Sequence, residues 1–94
     1  MPAWFYTLRL HSGALYIGAT KDLEKRYAKH CDGSAGRTTA LDPPTSLVYN
    51  EKHESFSDAR KREAQVKRWT RAKKEALVIG DKEKLRALSK SRKN

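Results

Sequence analysis

Two runs, residues 4–10 (WFYTLRL) and 14–19 (ALYIGA), are separated only by His11-Ser12-Gly13. Both are rich in aromatic and β-branched residues. The spacer places a glycine where a three-residue hairpin loop needs positive φ. If those three residues are the whole loop, residue 10 pairs with 14, 8 with 16 and 6 with 18. Directly opposed residues share a sheet face, so Tyr6, Leu8, Tyr16 and Gly18 lie together. Tyr6 and Tyr16 become diagonal neighbours, about 7–8 Å apart at Cα. Gly18, opposite Tyr6, leaves space beside the ring. The ordinary reading of such a pair is two core tyrosines with hydroxyls at the sheet edge.

The rest of the chain attaches helices to this hairpin. Thr20 can cap a helix over about residues 21–31, with Asp22 in its first turn and Leu23, Tyr27 and Cys31 as its apolar stripe. Residues 32–45 (DGSAGRTTALDPPT) read as a loop, and 46–53 (SLVYNEKH) as a third strand. Ser55 or Ser57 caps a second helix reaching about Trp69. Thr70 starts a third that stops at Gly80. Asp81 caps a short last helix with Leu85 and Leu88 as its contacts, and residues 90–94 form a frayed basic tail. The order β-β-α-β-α-α(-α) predicts an α/β or α+β fold, with a mainly antiparallel sheet flanked by helices in a single domain over residues 1–89.

Charge narrows the partners. The net charge is +10 and the pI is near 10.0. Residues 1–50 hold 6 Lys/Arg against 4 Asp/Glu, and residues 51–94 hold 15 against 7. This balance favours a polyanion, with nucleic acid ahead of an acidic membrane surface. One cysteine excludes an intrachain disulfide, and it and three dispersed histidines give no zinc spacing. The longest apolar run, residues 76–79, cannot span a bilayer, and no secretory leader is visible. The chain reads as soluble and cytoplasmic, without a membrane partner.

Several polar residues sit where apolar ones are expected. Arg26 falls beside the Leu23/Tyr27 stripe and His30 lies one turn further on, next to Cys31, which reads as a semi-buried filler. A charge there is either paired, solvated at its tip or functional, because burying it alone is costly. In the second helix Phe56, Ala59, Val66 and Thr70 mark the inward face, and Glu63 is on the same stripe. Arg60, Lys61, Arg62, Lys67 and Arg68 point outward. The inward carboxylate is either the partner of Arg26 or a metal ligand. Two tyrosines, an arginine, a histidine and a glutamate each have a use at a phosphodiester. One carboxylate with waters and a phosphate oxygen suits Mg²⁺. An arginine fork grips phosphate, a tyrosine beside a cation can act on water, and a histidine can orient the tyrosine or pass a proton.

At these residues the chain resembles the GIY-YIG nuclease superfamily. The first half-motif is degenerate, as Phe5-Tyr6-Thr7, and the second is intact, as Tyr16-Ile17-Gly18. The family's helical arginine and histidine match Arg26 and His30 in DLEKRYAKH, and its metal-binding glutamate matches Glu63 in DARKREAQVKRW. The likeness runs through Leu47-Val48-Tyr49 to about Ile79, nearly the whole chain. The length and basic second half resemble the small, single-domain bacterial branch. The resemblance implies a three-stranded antiparallel sheet with flanking helices. It also implies cleavage of DNA with one divalent metal, Mg²⁺ or Mn²⁺, at a site of Tyr6, Tyr16, Arg26, His30 and Glu63.

Departures from the family pattern bear on binding. Ala19 stands where some repair-nuclease relatives carry a lysine, a contact that Lys21 can replace. Where small relatives have lysine, tyrosine and threonine, this chain has Arg37-Thr38-Thr39, so Arg37 is a candidate phosphate contact and Thr38 a lost aromatic. The basic helices (Arg60, Lys61, Lys67, Arg68, Arg71, Lys73, Lys74) are either a solvated surface or a salt-sensitive seat for a phosphate backbone, with Lys67 and Arg68 as its centre. Trp69 reads as a packing anchor, and His11 and His53 as strand-end residues. The sequence therefore points to a metal-dependent DNA endonuclease, structure-selective or weakly sequence-selective, with a place in repair or recombination. The rival is a non-catalytic module of the same fold that binds DNA or RNA. Larger relatives carry a targeting domain, so a targeting protein is an expected partner.

Overall fold

In the computed structural model, which describes residues 1–81, 83 and 85–87, the chain turns back on itself at His11-Ser12-Gly13. Gly13 takes φ 94°, and Leu10 N–H donates to the Ala14 carbonyl at 2.9 Å. Strand β1 (Ala3–Leu10) then pairs antiparallel with β2 (Leu15–Thr20), bringing Tyr6 opposite Gly18 and Leu8 opposite Tyr16, the expected register. Strand β3 (Pro44–His53) pairs antiparallel along the other edge of β1, giving the order β2-β1-β3. β3 begins two residues before the predicted strand. Pro44, which has no N–H to donate, is tolerated there because β3 is an edge strand.

Being central, β1 is covered on both faces. Tyr6, Leu8 and Leu10 pack on one side with Tyr16, Leu23, Tyr27 and Leu47. Phe5 and Ile17 pack on the other with Val66 and Leu77, backed by Tyr49, Trp69 and Leu85. The first side is closed by helix α1 (Leu23–Asp32), and the second by α3 (Phe56–Lys67) and α4 (Arg71–Ile79). The fold is the predicted α+β arrangement. Trp69 is a packing anchor, with Lys73 Nζ 4.1 Å and the Arg62 guanidinium 5.2 Å from its ring. Among the described residues no helix is long and apolar enough to cross a membrane.

Local chemistry sets the boundaries, and several expectations need correction. Asp22, not Thr20, caps α1: its side chain accepts from Lys25 N–H, while the Thr20 hydroxyl accepts from Asp22 N–H. Cys31 is exposed, because the buried edge of α1 runs from Leu23 through Tyr27 to His30 and leaves residue 31 on the outside. The supposed loop contains a short helix, α2 (Arg37–Leu41). Ser55, rather than Ser57, caps α3 by accepting from Asp58 N–H. Thr70 faces out as the cap of α4, which Gly80 closes at φ 76°.

Two cations placed on the outer surface are not free there. Arg62 forks onto Glu51 at 3.1 Å, and Lys73 is only 8% exposed. Long basic stems can bury along aromatic rings while the charge keeps a partner. Beyond Gly80, Leu85 N–H donates to the Asp81 carbonyl, which continues the chain into another turn. Leu88 and the tail over residues 90–94 lie outside the described residues.

Among the described residues one buried side-chain group is unpaired. Thr7 is 1% exposed, and its hydroxyl has no hydrogen-bond partner among the described residues. A buried donor left unpaired is destabilising, so Thr7→Val should raise stability by about 1 kcal/mol. For a domain of this size that is roughly 4–8 °C in melting temperature. A melt showing no rise would mean that the hydroxyl is satisfied.

Candidate active site

The hairpin register fixes where the first tyrosine sits. Tyr6 is 2% exposed, and its ring lies against Gly18 so closely that a Cβ built there would be 2.5 Å from both Cζ and the hydroxyl oxygen. Only glycine admits this ring. Helix α1 crosses the same sheet face. Its residues four apart, Arg26 and His30, both turn toward the phenol, as neighbours on one helix face do. His30 Nε2 is 2.8 Å from the Tyr6 hydroxyl, and Arg26 Nε donates to the same oxygen at 3.4 Å. The Tyr16 ring meets the imidazole edge-to-face at 4.8 Å and lies 6.4 Å from the Tyr6 ring. Four of the five expected residues thus form one cluster across three elements.

The fifth, Glu63, approaches from α3. Its side chain is 15% exposed and ion-paired within its own helix, to Lys67 Nζ at 2.6 Å and Arg60 Nε at 3.4 Å. Of the two sequence alternatives, pairing with Arg26 is therefore not what the structure contains. The carboxylate's field nonetheless reaches the Tyr6 phenol. Among the described residues no three His, Cys, Asp or Glu side chains gather as a metal cage. A single carboxylate does not give zinc the several protein ligands it takes, whereas Mg²⁺ and Mn²⁺ can complete a shell begun by one carboxylate with water and substrate oxygens, once Lys67 and Arg60 give way.

The electrostatics follow from burial and from Arg26. Burial pushes the Tyr6 phenol above its ordinary value of 10.0, the Arg26 hydrogen bond pulls it back, and Tyr16 and Glu63 add to the rise. The hydrogen bond to Tyr6 raises Arg26 further. Burial first, and then Arg26, lowers His30 below 6.5. At neutral pH the cluster therefore holds a protonated phenol beside a neutral imidazole, which can accept a proton.

This has a consequence for stability. Because folding depresses the His30 value, the unfolded chain binds more protons just below pH 6.5 than the native protein does. The contribution is complete above that pH and is lost on acidification toward the folded value. Melting temperature should fall between about pH 7 and about pH 5, before Glu51 and Glu75, both held below 4.5, begin to protonate. A flat profile over that window would show that the imidazole charges freely inside the fold.

The residues expected to contact nucleic acid lie just before α1, on α2 and at the end of α3. Lys21 is exposed, its Nζ 5.6 Å from the Phe56 ring. Arg37 is exposed at the first position of α2. Lys67 is engaged by Glu63, while Arg68 lines a cleft of about 550 Å³ with Lys61, Ala64, Gln65 and Trp69. Two lysines were missed: Lys25 and Lys29 line a cleft of about 200 Å³ with Arg26, Thr20 and Asp22. Their signal was available, since the two lysines are four apart on the helix, one on each side of Arg26 in sequence. Thr39, matched to the threonine of small relatives, was given no role from the sequence. It is 1% exposed, with Oγ1 2.9 Å from His30 Nδ1, and no periodicity in the surrounding residues marked it.

Comparison with known proteins gives the family and the fold. Residues 2–76 match the GIY-YIG catalytic domain. A UPF0213 protein of Staphylococcus saprophyticus is 39% identical over 75 residues, covering 80% of this chain and 92% of its own. The solution NMR structure of a UPF0213 protein from Bacillus halodurans superposes with a TM-score of 0.56 at 33% identity, over 86% of each chain. That of a protein from E. faecalis gives 0.58 at 32% identity, over 85% of each chain. With its hairpin, third strand, helices α1 to α3 and the whole residue cluster inside the matched span, the chain belongs to the GIY-YIG family, a nuclease superfamily.

Proposed function

We propose that the protein is a metal-dependent endonuclease that hydrolyses DNA phosphodiester bonds. The observation that carries this reading is the Tyr6 hydroxyl held between Arg26 Nε and His30 Nε2. A water attacking phosphorus must lose a proton. The phenol, too basic to rest as tyrosinate, passes its own proton to the neutral imidazole as it takes one from water. Arg26, beside that oxygen, grips the scissile phosphate and offsets the charge that develops on it. Tyr16, stacked edge-on against His30, keeps the imidazole plane fixed and lines the approach. Glu63 would hold Mg²⁺ or Mn²⁺. Bound there, the ion supplies Lewis-acid stabilisation of the phosphate oxygens.

Backbone contacts come from Lys21, Arg37, Lys67 and Arg68, with Lys25 and Lys29 beside the arginine. Such contacts fix position and carry no base information, which supports structure-selective or weakly sequence-selective cutting of the kind repair or recombination uses. The Glu63–Lys67 ion pair favours the rival reading, a non-catalytic nucleic-acid-binding module, because it already satisfies the carboxylate.

Plasmid, branched and single-stranded DNA, incubated with Mg²⁺, Mn²⁺ or EDTA, separate the two. Nicking that requires the metal supports the enzyme. Salt-sensitive binding with no cleavage of any substrate would leave only the module.

A further inference from the structure

The helix that the sequence did not reveal, α2, delivers one side chain into the buried part of the cluster. Thr39 and His30 are each 1% exposed, and Thr39 Oγ1 is 2.9 Å from His30 Nδ1, on the opposite side of the ring from the nitrogen that meets Tyr6. Which nitrogen carries the proton follows from the phenol. The Tyr6 oxygen already faces a donor, Arg26 Nε–H, so its own hydrogen needs an acceptor. Among the described residues the only other group within hydrogen-bond reach is His30 Nε2, at 2.8 Å. Nε2 must therefore be bare and the single ring proton must sit on Nδ1, where Thr39 Oγ1 accepts it. The opposite tautomer would aim two donors at one phenol oxygen and leave the phenol hydrogen buried without a partner, a costly arrangement in a dry site.

We propose that Thr39 is a positioning residue: by accepting from Nδ1–H it adds to the phenol's preference for that tautomer, and so helps to keep Nε2 open to the Tyr6 proton. It touches neither phosphate nor metal and acts only through the imidazole. A group behind a working histidine commonly fixes its tautomer in this way. The consequence for catalysis rests on the nuclease reading above, whereas the tautomer does not.

The test uses the intact protein with ¹⁵N-labelled histidine. Long-range proton–nitrogen correlation spectra near neutral pH distinguish the two tautomers of His30. The wild type and Thr39→Ser should show Nδ1–H. Thr39→Val, which keeps the shape and removes the oxygen, should shift His30 toward Nε2–H. On a DNA substrate Thr39→Val should lower kcat by about tenfold to a hundredfold with KM little changed, and Thr39→Ser should recover most of the loss. An Nε2–H wild type, or an unchanged tautomer in Thr39→Val, overturns the proposal. So does wild-type kcat in a Thr39→Val protein whose tautomer has shifted. If Thr39→Val fails to fold, Thr39→Ala, which also removes the oxygen, decides it by the same tautomer and kcat readings. Tautomers that follow expectation in a protein that cuts no DNA would retain the positioning role and remove the nuclease reading instead.

Discussion

Glu63→Gln should abolish metal-dependent nicking, by on the order of 10³-fold, while leaving the melting temperature and DNA affinity close to wild type. The substitution keeps the shape and one acceptor oxygen but removes the charge a divalent ion needs. Little stability is at stake, because the bonds lost are to Lys67 and Arg60, whose side chains are 55% and 63% exposed. Exposed helical ion pairs of this kind contribute a few tenths of a kcal/mol. Releasing Lys67 frees a cation for phosphate, so any change in binding should be toward tighter association. Nicking assays at matched protein and metal concentrations, beside a filter-binding salt series, make the comparison. Full cleavage by Glu63→Gln would remove Glu63 from the metal site.

Gly18→Ala should be damaging in a different way, in both stability and rate. The new methyl would stand 2.5 Å from the Tyr6 Cζ and hydroxyl oxygen, well inside contact distance. The ring cannot retreat, since Tyr6 is one of the largest fully buried side chains. Overpacking of this sort costs about 1–3 kcal/mol. The displaced hydroxyl would also lose its alignment with Arg26 and His30, and an ångström of misplacement lowers rates by about a hundredfold. Thermal melts and single-turnover nicking should both fall. Equal melting of Gly18→Ala and the wild type would mean that the hairpin moves freely at this point.

The hairpin and its register were legible because turn chemistry and two-residue alternation agree there. Thr70 and Gly80 marked α4 for the same reason, each being the residue type its end requires. Glu63 stood out as one acid on an otherwise apolar stripe. α2 was hidden because it has five residues, two of them threonines of poor helical propensity, and its cap, Gly36, contributes no side-chain hydrogen bond. Cys31 was misplaced by spacing alone: positions four and three residues beyond Tyr27 are equally plausible neighbours, and the helix buried the histidine. Arg62 and Lys73 were assigned to the surface by type, whereas their cations lie over the Phe5 and Trp69 rings. That placement depends on rings far away in sequence, which helical periodicity does not report.

β1 sends Phe5 to one layer and Tyr6 to the other. A slip of one residue along its partners would exchange them, seating a hydrocarbon ring among Arg26 and His30 and a phenol against Val66 and Leu77. Folding accuracy and assembly of the Tyr6–Arg26–His30 cluster are therefore the same constraint in this strand. A misregistered molecule should lose the cluster and expose its core together, and so be among the first that proteases clear.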